Sequence, residues 1–394
     1  MLNYQNCEKV LLENILPFWT KKMVDKKNGG FYGRIDGNNT LHPEADKCII
    51  LNTRILWSFS AAYMKLGNDS FLDLADRSYN YILDHFLDYE NSGVYWSVTF
   101  DGTVSDRKKQ IYAQAFAIYA FTEYFKVSGN HQALQLAKDL FRIVERYSFD
   151  VGGNGYLEAF SRKWKLKEDL RLSEKDANEA KTMNTHLHIL EAYTNLYKVW
   201  KDESLADKLE NLIHLFLTKF IDDTGHFHLF FDEKWKLKSD LISYGHDIEG
   251  AWLILESARV LGNEELIEKC KEISIRMTKA AMEGLDEDGG LMNEGGLSGV
   301  MDTDKHWWVQ AEALVGLNNA WILSGIDQYR DAAEKVWSFI ASNLIDNEQG
   351  EWHWMVHRDG SVNPEKDKAG PWKGPYHNTR AMLELMKRLK EAEI

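Results

Sequence analysis

Cysteine is scarce in this chain: three in 394 residues, at Cys7, Cys48 and Cys270. An odd number of widely separated thiols builds no disulfide framework, fits a reducing compartment and matches no zinc-site spacing. Basic charge is also in short supply. Lys and Arg number 47 against 61 Asp and Glu, a net charge of -14, which argues against nucleic acid and anionic membrane surfaces as partners. No apolar run approaches the ~20 residues that cross a bilayer. Residues Met1 to Trp19 include Glu8 and Glu13 and lack the basic-then-apolar layout of a secretion signal. A Gly-rich phosphate loop is missing as well. The expectation is a cytoplasmic protein with no nucleic-acid or membrane partner.

What is abundant is aromatic surface. Apolar residues make up 44% of the chain, and 14 Trp and 17 Tyr exceed what a core alone usually needs. Flat rings pack well on the C–H faces of sugars, so carbohydrate is the ligand class this composition suits. At 394 residues the chain is either two domains or one closed repeat architecture.

Repeats decide between them. Gly followed by aromatics recurs at Gly29-Gly30-Phe31-Tyr32, Gly93-Val94-Tyr95-Trp96, Gly153-Asn154-Gly155-Tyr156, Gly225-His226-Phe227-His228 and Gly350-Glu351-Trp352-His353-Trp354, with a degenerate copy at Gly289-Gly290-Leu291. The spacing is roughly 60 to 70 residues, the length of a whole helical hairpin with its loops. Offset from these are tight turns at Gly67-Asn68-Asp69, Gly129-Asn130, Gly262-Asn263-Glu264, Gly325-Ile326-Asp327 and the Gly-less Lys201-Asp202-Glu203-Ser204. There Gly ends one helix and Asn, Asp or Ser caps the next.

Between the marks lie two kinds of segment. Ile49 to Leu66, Ile111 to Val127, Met183 to Trp200, Ile248 to Leu261, Trp308 to Leu323 and His377 to Leu389 are apolar on most faces, which predicts inner helices buried all round. Phe71 to Leu87, Gln132 to Tyr147, Ser204 to Phe220, Glu264 to Met282 and Tyr329 to Leu344 are one-sided surface helices, and Asn3 to Phe18 supplies the sixth. The expected fold is therefore all-α, a single (α/α)6 barrel of six helical hairpins over residues 1–394. An open solenoid would need polar capping repeats, which the sequence does not show. Every inner helix starts after a long aromatic-Gly loop, so six positive helix ends should face one mouth. The longest of these loops, Leu157 to Lys181, reads either as a solvated loop or as a lid.

Each inner-helix start carries polar side chains: Asn52 and Arg54; Tyr112 and Gln114; Asn184, His186 and His188; His246 and Glu249; Trp308, Gln310 and Glu312; Tyr376, His377 and Arg380. Recurrence at all six starts marks His188, His246 and His377 as functional rather than packing residues. Metal is disfavoured, because the His186-His188 and His226-His228 pairs diverge on a helix and nothing completes a site. Glu249 and Glu312 are candidates for a glycosidase pair, which leaves hydrolysis as an alternative reading.

The runs Leu51-Asn52-Thr53-Arg54-Ile55-Leu56-Trp57, Lys181-Thr182-Met183-Asn184-Thr185-His186-Leu187-His188, Ser243-Tyr244-Gly245-His246-Asp247-Ile248-Glu249 and Pro375-Tyr376-His377-Asn378 resemble cellobiose 2-epimerases of the N-acylglucosamine 2-epimerase superfamily, in order and spacing, from the first helix to the last. The resemblance implies the same barrel, no metal and no cofactor, and a small disaccharide as partner. It implies a catalytic set of Arg54, His188, His246 and His377. It implies further that Tyr112, Asp176, Asn184, Glu249, Trp308, Glu312 and Trp372 hold or orient the sugar. Gly374 departs from the family, where many members have Cys; that bears only on loop packing. The reaction so implied inverts carbon 2 of a reducing-end glucose, in cellobiose and in lactose, through an enediolate. His246 and His377 would exchange the proton on opposite faces, Arg54 would hold the enediolate oxygens, and His188 would assist ring opening. Glu249 would orient His246 or accept a sugar hydroxyl, and Trp308 and Trp372 would stack on the rings. Epimerisation of N-acylglucosamine and aldose–ketose isomerisation of monosaccharides remain alternatives. A monomer or weak homo-oligomer is expected.

Overall fold

A helix that is apolar on every face must be covered on every face. In the computed structural model, which describes residues 1–392, six such helices form the wall of a barrel. In chain order the helices are α1 (residues 4–22), α2 (Ile49–Leu66), α3 (Asp69–His85), α4 (Ile111–Ser128), α5 (His131–Tyr147), α6 (Met183–Val199), α7 (residues 203–220), α8 (Tyr244–Leu261), α9 (Glu264–Ala281), α10 (Trp307–Ser324), α11 (residues 327–344) and α12 (Tyr376–Ala392). Each even-numbered helix packs on the next, and α12 returns to α2, so the inner ring closes. The odd-numbered helices lie outside, with α1 against α12. This is the (α/α)6 barrel, and the closed ring rules out a solenoid.

The hairpin turns follow the chemistry of their residues. Gly67, Gly129, Gly262 and Gly325 end inner helices at φ of 66°, 66°, 83° and 69°, a region where a side chain would clash, and each N–H bonds the carbonyl four residues back. Asn68, Asn130, Asp202 and Asn263 then cap the outer helices with their side chains. The turn at Gly325 differs: Ile326 occupies the cap position without a side-chain bond. Helix α8 also departs from expectation, starting at Tyr244 rather than Ile248. Its first turn looks polar in sequence because His246 meets Trp308 and Asp247 bonds the preceding loop at His226 and Phe227.

Consecutive hairpins are stitched together by pairs of two-residue strands. Lys47–Cys48, Lys109–Gln110, Lys181–Thr182 and Lys305–His306 each run straight into an inner helix and pair antiparallel with the loop behind the next outer helix. The lysine at each place is buried and ion-paired with an aspartate of the preceding loop: Lys47 with Asp25 (2.9 Å), Lys109 with Asp88 (3.1 Å), Lys181 with Asp150 (2.8 Å) and Lys305 with Asp286 (2.9 Å). A buried ion pair holds only while both partners are present, so each one fixes where the following helix begins. In the fourth repeat Ile242 stands at the lysine's place. The device is legible in the sequence as a Lys two residues ahead of four of the six inner-helix starts, at Lys47, Lys109, Lys181 and Lys305.

Candidate active site

Counted from the first helical residue, positions two and six are one turn apart and share a face. At those positions the inner helices carry Arg54 (α2), Tyr112 and Phe116 (α4), Asn184 and His188 (α6), Glu249 (α8), Trp308 and Glu312 (α10) and His377 (α12). Position four faces the loops and braces them. Gln114 bonds the N–H and C=O of Val94 (2.8 and 3.0 Å), Gln310 does the same at Leu291 (2.7 Å each), Asp247 accepts from Phe227 N–H (2.8 Å) and His186 accepts from Tyr156 N–H (2.9 Å). His186 is thus a structural group, not a member of the site.

His246 lies one position off the pattern, and its neighbour Gly245 explains how it fits. A Cβ at Gly245 would come within 2.6 Å of the Trp308 ring and 2.7 Å of Val309. Without it, Trp308 leans on α8 and its ring meets that of His246 at 4.8 Å. The same indole meets the His377 ring at 5.7 Å. One tryptophan therefore touches both imidazoles. His246, Trp308, Asn184 and Trp372 are partly exposed, while His188 and His377 are 3% and 6% exposed.

Each imidazole is tied back through Nδ1. His377 meets Glu312 Oε1 at 2.7 Å, His188 meets Glu191 Oε2 at 3.0 Å, and His246 meets Ser243 Oγ at 2.8 Å. An ionised carboxylate only accepts, so the first two rings carry their proton on Nδ1 and present Nε2 as a lone pair. Burial, and then the charge of His188, pushes His246 down to about 3. Burial, followed by Arg54 and Arg380, holds His377 well below its ordinary value, and burial lowers His188. The resting site offers neutral bases.

Arg54 donates from Nη1 to the carbonyl of Trp372 (2.8 Å) and from Nη2 to the hydroxyl of Tyr112 (2.9 Å), with its plane 4.8 Å from the Phe116 ring. The Tyr112 ring packs against His188 (4.8 Å) and Trp372 (6.0 Å). The Oδ1 of Asn184 is buried without a partner among the described residues.

The floor was the part the sequence reading missed. Arg380 donates from Nη2 to Glu249 and to Glu312, 2.6 Å each, and from Nη1 to Glu191, which also accepts from the Tyr376 hydroxyl. Glu249 and Glu312 are each 1% exposed. Glu249, expected to orient His246 or meet a sugar hydroxyl, holds Arg380 in this arrangement, and Ser243 rather than Glu249 is the partner of His246. Glu312 lies behind His377, with Trp252 Nε1 on its other oxygen (3.1 Å). Burial and then Glu312 raise Glu249 to about 8, and burial raises Glu312. Burial opposes the ionisation of Glu191, yet Arg380 and then His188 hold it at about 2. Glu249, Glu312 and His377 form a cluster of metal-binding residue types within 4.8 Å; the Arg380 guanidinium already sits between its carboxylates. The spacing of Glu191 three residues after His188 on one helix was the available signal for this floor.

Asp176 stands apart from the others. It lies in the loop joining α5 to α6, where its Oδ2 accepts from Ser173 N–H (2.8 Å). That loop is anchored to the start of α4 by Gln110 Nε2 on the Arg171 carbonyl (2.7 Å).

Residues 30–381 match the family model for N-acylglucosamine 2-epimerase (GlcNAc 2-epimerase). A cellobiose 2-epimerase of Bacteroides fragilis is 51% identical over 384 residues, covering 97% of this chain and 98% of that protein. The solved cellobiose 2-epimerase of Bacillus thermoamylovorans superposes with a TM-score of 0.94 at 41% identity, over 98% of this chain and 99% of that one. A sugar epimerase from a ruminal bacterium superposes with a TM-score of 0.93 at 40% identity, covering 98% of each chain.

Proposed function

The chain belongs to the N-acylglucosamine 2-epimerase family and is a sugar epimerase, and from that premise we propose how its barrel, acting as one catalytic domain, works. The substrate is a β-1,4-linked disaccharide, cellobiose or lactose, and carbon 2 of its reducing-end glucose is inverted. The observation that carries this reading is the pair of imidazoles on one indole: His246 at 4.8 Å and His377 at 5.7 Å from Trp308. Each has Nδ1 tied back, so each can present Nε2 to a sugar ring lying on the indole.

The C2–H bond is acidic only in the open-chain aldehyde, so the ring must open first. His188, backed by Glu191, passes a proton between the ring oxygen and the anomeric hydroxyl. One imidazole of the pair then takes the C2 proton and the bonding electrons move into an enediolate. The other, which has taken a proton from solvent on Nε2 before this step, gives it to the opposite face of carbon 2. The first ring ends charged and the second neutral, and return of one proton to solvent restores the pair, so none is gained or lost overall. The permanent charge of Arg54 stabilises the enediolate oxygens, and the Glu312 carboxylate stabilises His377 whenever it is charged. Asn184 and Trp372 meet sugar hydroxyls and a ring face, and Asp176 joins them from the loop. A hydrolytic reading fits less well, because Glu249 and Glu312 grip one guanidinium nitrogen instead of flanking a bond.

Incubation with cellobiose in deuterated water tests the proposal. The expected product is 4-O-glucosyl-mannose with deuterium at carbon 2. Release of glucose, or product without carbon-2 label, would overturn it.

A further inference from the structure

We propose that Arg380 is a positioning residue that couples His188 to His377, so that the two imidazoles are protonated one at a time. The inference rests on the epimerase reading above and concerns a group that touches no substrate. Its basis is an unbroken buried chain: His188 Nδ1 to Glu191 Oε2 (3.0 Å), Glu191 Oε1 to Arg380 Nη1, Arg380 Nη2 to Glu312 Oε1 (2.6 Å), and Glu312 Oε1 to His377 Nδ1 (2.7 Å). Every member is 6% exposed or less. The guanidinium is planar and permanently charged, so its two nitrogens serve two arms in a fixed geometry. Rings of Tyr376 (4.5 Å) and Trp252 (4.9 Å) hold it in place, and it lies three residues after His377 on the same helix.

The charges explain the exclusion. One guanidinium faces three carboxyl groups, Glu191, Glu249 and Glu312. If His188 is charged, Glu191 is drawn toward it and compensates Arg380 less. Arg380 then pulls harder on Glu312, which becomes a poorer acceptor for His377. The same argument runs in reverse from His377. In a low-dielectric interior such transfers are strong. Facing His377 are Glu312 and Glu249 from α10 and α8, Arg54 from α2, and His188 and Glu191 from α6, with His246 across Trp308. His188 is faced by Glu191, Arg54, Arg380 and the Tyr112 ring. Among the described residues no other single group bonds both arms. The consequence for the reaction is order: the proton used at the ring oxygen must leave His188 before His377 carries one for the exchange at carbon 2.

A double-mutant cycle tests the clamp. E191Q and E312Q keep size and remove one charge each; kcat/KM for cellobiose is measured for both and for the pair. Each single variant is expected to lose tenfold or more, and the pair to fall short of the product of the two losses by at least tenfold. A pair equal to that product within threefold would overturn the coupling. The pH profile separates it from a merely structural effect. Removing the Glu191 charge leaves Arg380 less compensated, so the acid limb belonging to His377 should move to lower pH in E191Q. An unmoved limb would count against the clamp, and this holds even if the double variant does not fold. Arg380→Lys, which keeps the charge and loses the fork, should fold and bring the two losses closer to multiplicative. The same cycle read as melting temperature needs no turnover, and additive shifts there would also overturn the proposal. An unmodified protein that leaves cellobiose unchanged would instead strike at the epimerase reading.

Discussion

His186 gives the sharpest test of the brace that positions α6. Its Nε2 accepts the Tyr156 N–H at 2.9 Å, and its Nδ1 faces the Thr182 carbonyl at 2.7 Å. A carbonyl only accepts, so Nδ1 carries the hydrogen and Nε2 has none; adding a proton to Nε2 breaks the brace. Burial accordingly pushes this group down to about 3. The sign follows directly. The folded value lies below the unfolded one of about 6.5, so the unfolded chain binds a proton that the native state refuses. Stability from this residue is complete above pH 6.5 and is lost as pH falls toward 3, by about 1.4 kcal/mol per unit and about 2 kcal/mol in total at pH 5. In α4 and α10 the same position is Gln114 and Gln310, which make the brace without titrating. His186→Gln should therefore fold, match the unmodified protein at pH 7.5 within about 1 kcal/mol, and exceed it by about 2 kcal/mol at pH 5. The measurement is urea unfolding of both proteins at the two pH values. Other histidines held below their ordinary value, such as His306 and His353, are present in both proteins and cancel in the difference. An equal gap at both pH values would refute the assigned tautomer and the brace.

Gly245→Ala should push Trp308 away from α8, since the new Cβ would sit 2.6 Å from its ring. Overpacking of this kind costs about 1–3 kcal/mol, and if it is felt at the indole kcat/KM falls roughly ten- to hundredfold; an unchanged kcat/KM would deny Trp308 its place between the histidines. Arg54→Lys should lower kcat/KM about hundredfold while leaving the melting temperature within a few degrees, because a point charge cannot hold both the Trp372 carbonyl and the Tyr112 hydroxyl. A loss under threefold would count against the bidentate role. Lys47→Met should cost about 3–5 kcal/mol by stranding the buried Asp25 charge, with partial recovery on adding Asp25→Asn; chemical denaturation at neutral pH reads both.

Much of the architecture was readable because helices impose local periodicity. Gly-Asn turns marked the hairpins, and apolar runs separated inner from outer helices, so the barrel and its mouth followed from spacing alone. The runs around Arg54, His188 and His377 place those side chains on the inward face, since residues two and six of a helix share a face wherever that helix is placed, while His246 lies one position off it. What spacing could not give was which group pairs with which across the barrel. Glu249 is three residues from His246 in the chain, yet it holds Arg380, 131 residues away; Glu312 backs His377 from 65 residues away. Such pairings depend on the angle between neighbouring inner helices and on how far each side chain reaches across the axis, quantities that no local pattern encodes. The sequence determined what enters the barrel, and only the closed ring decided that three carboxyl groups and one guanidinium would meet beneath it.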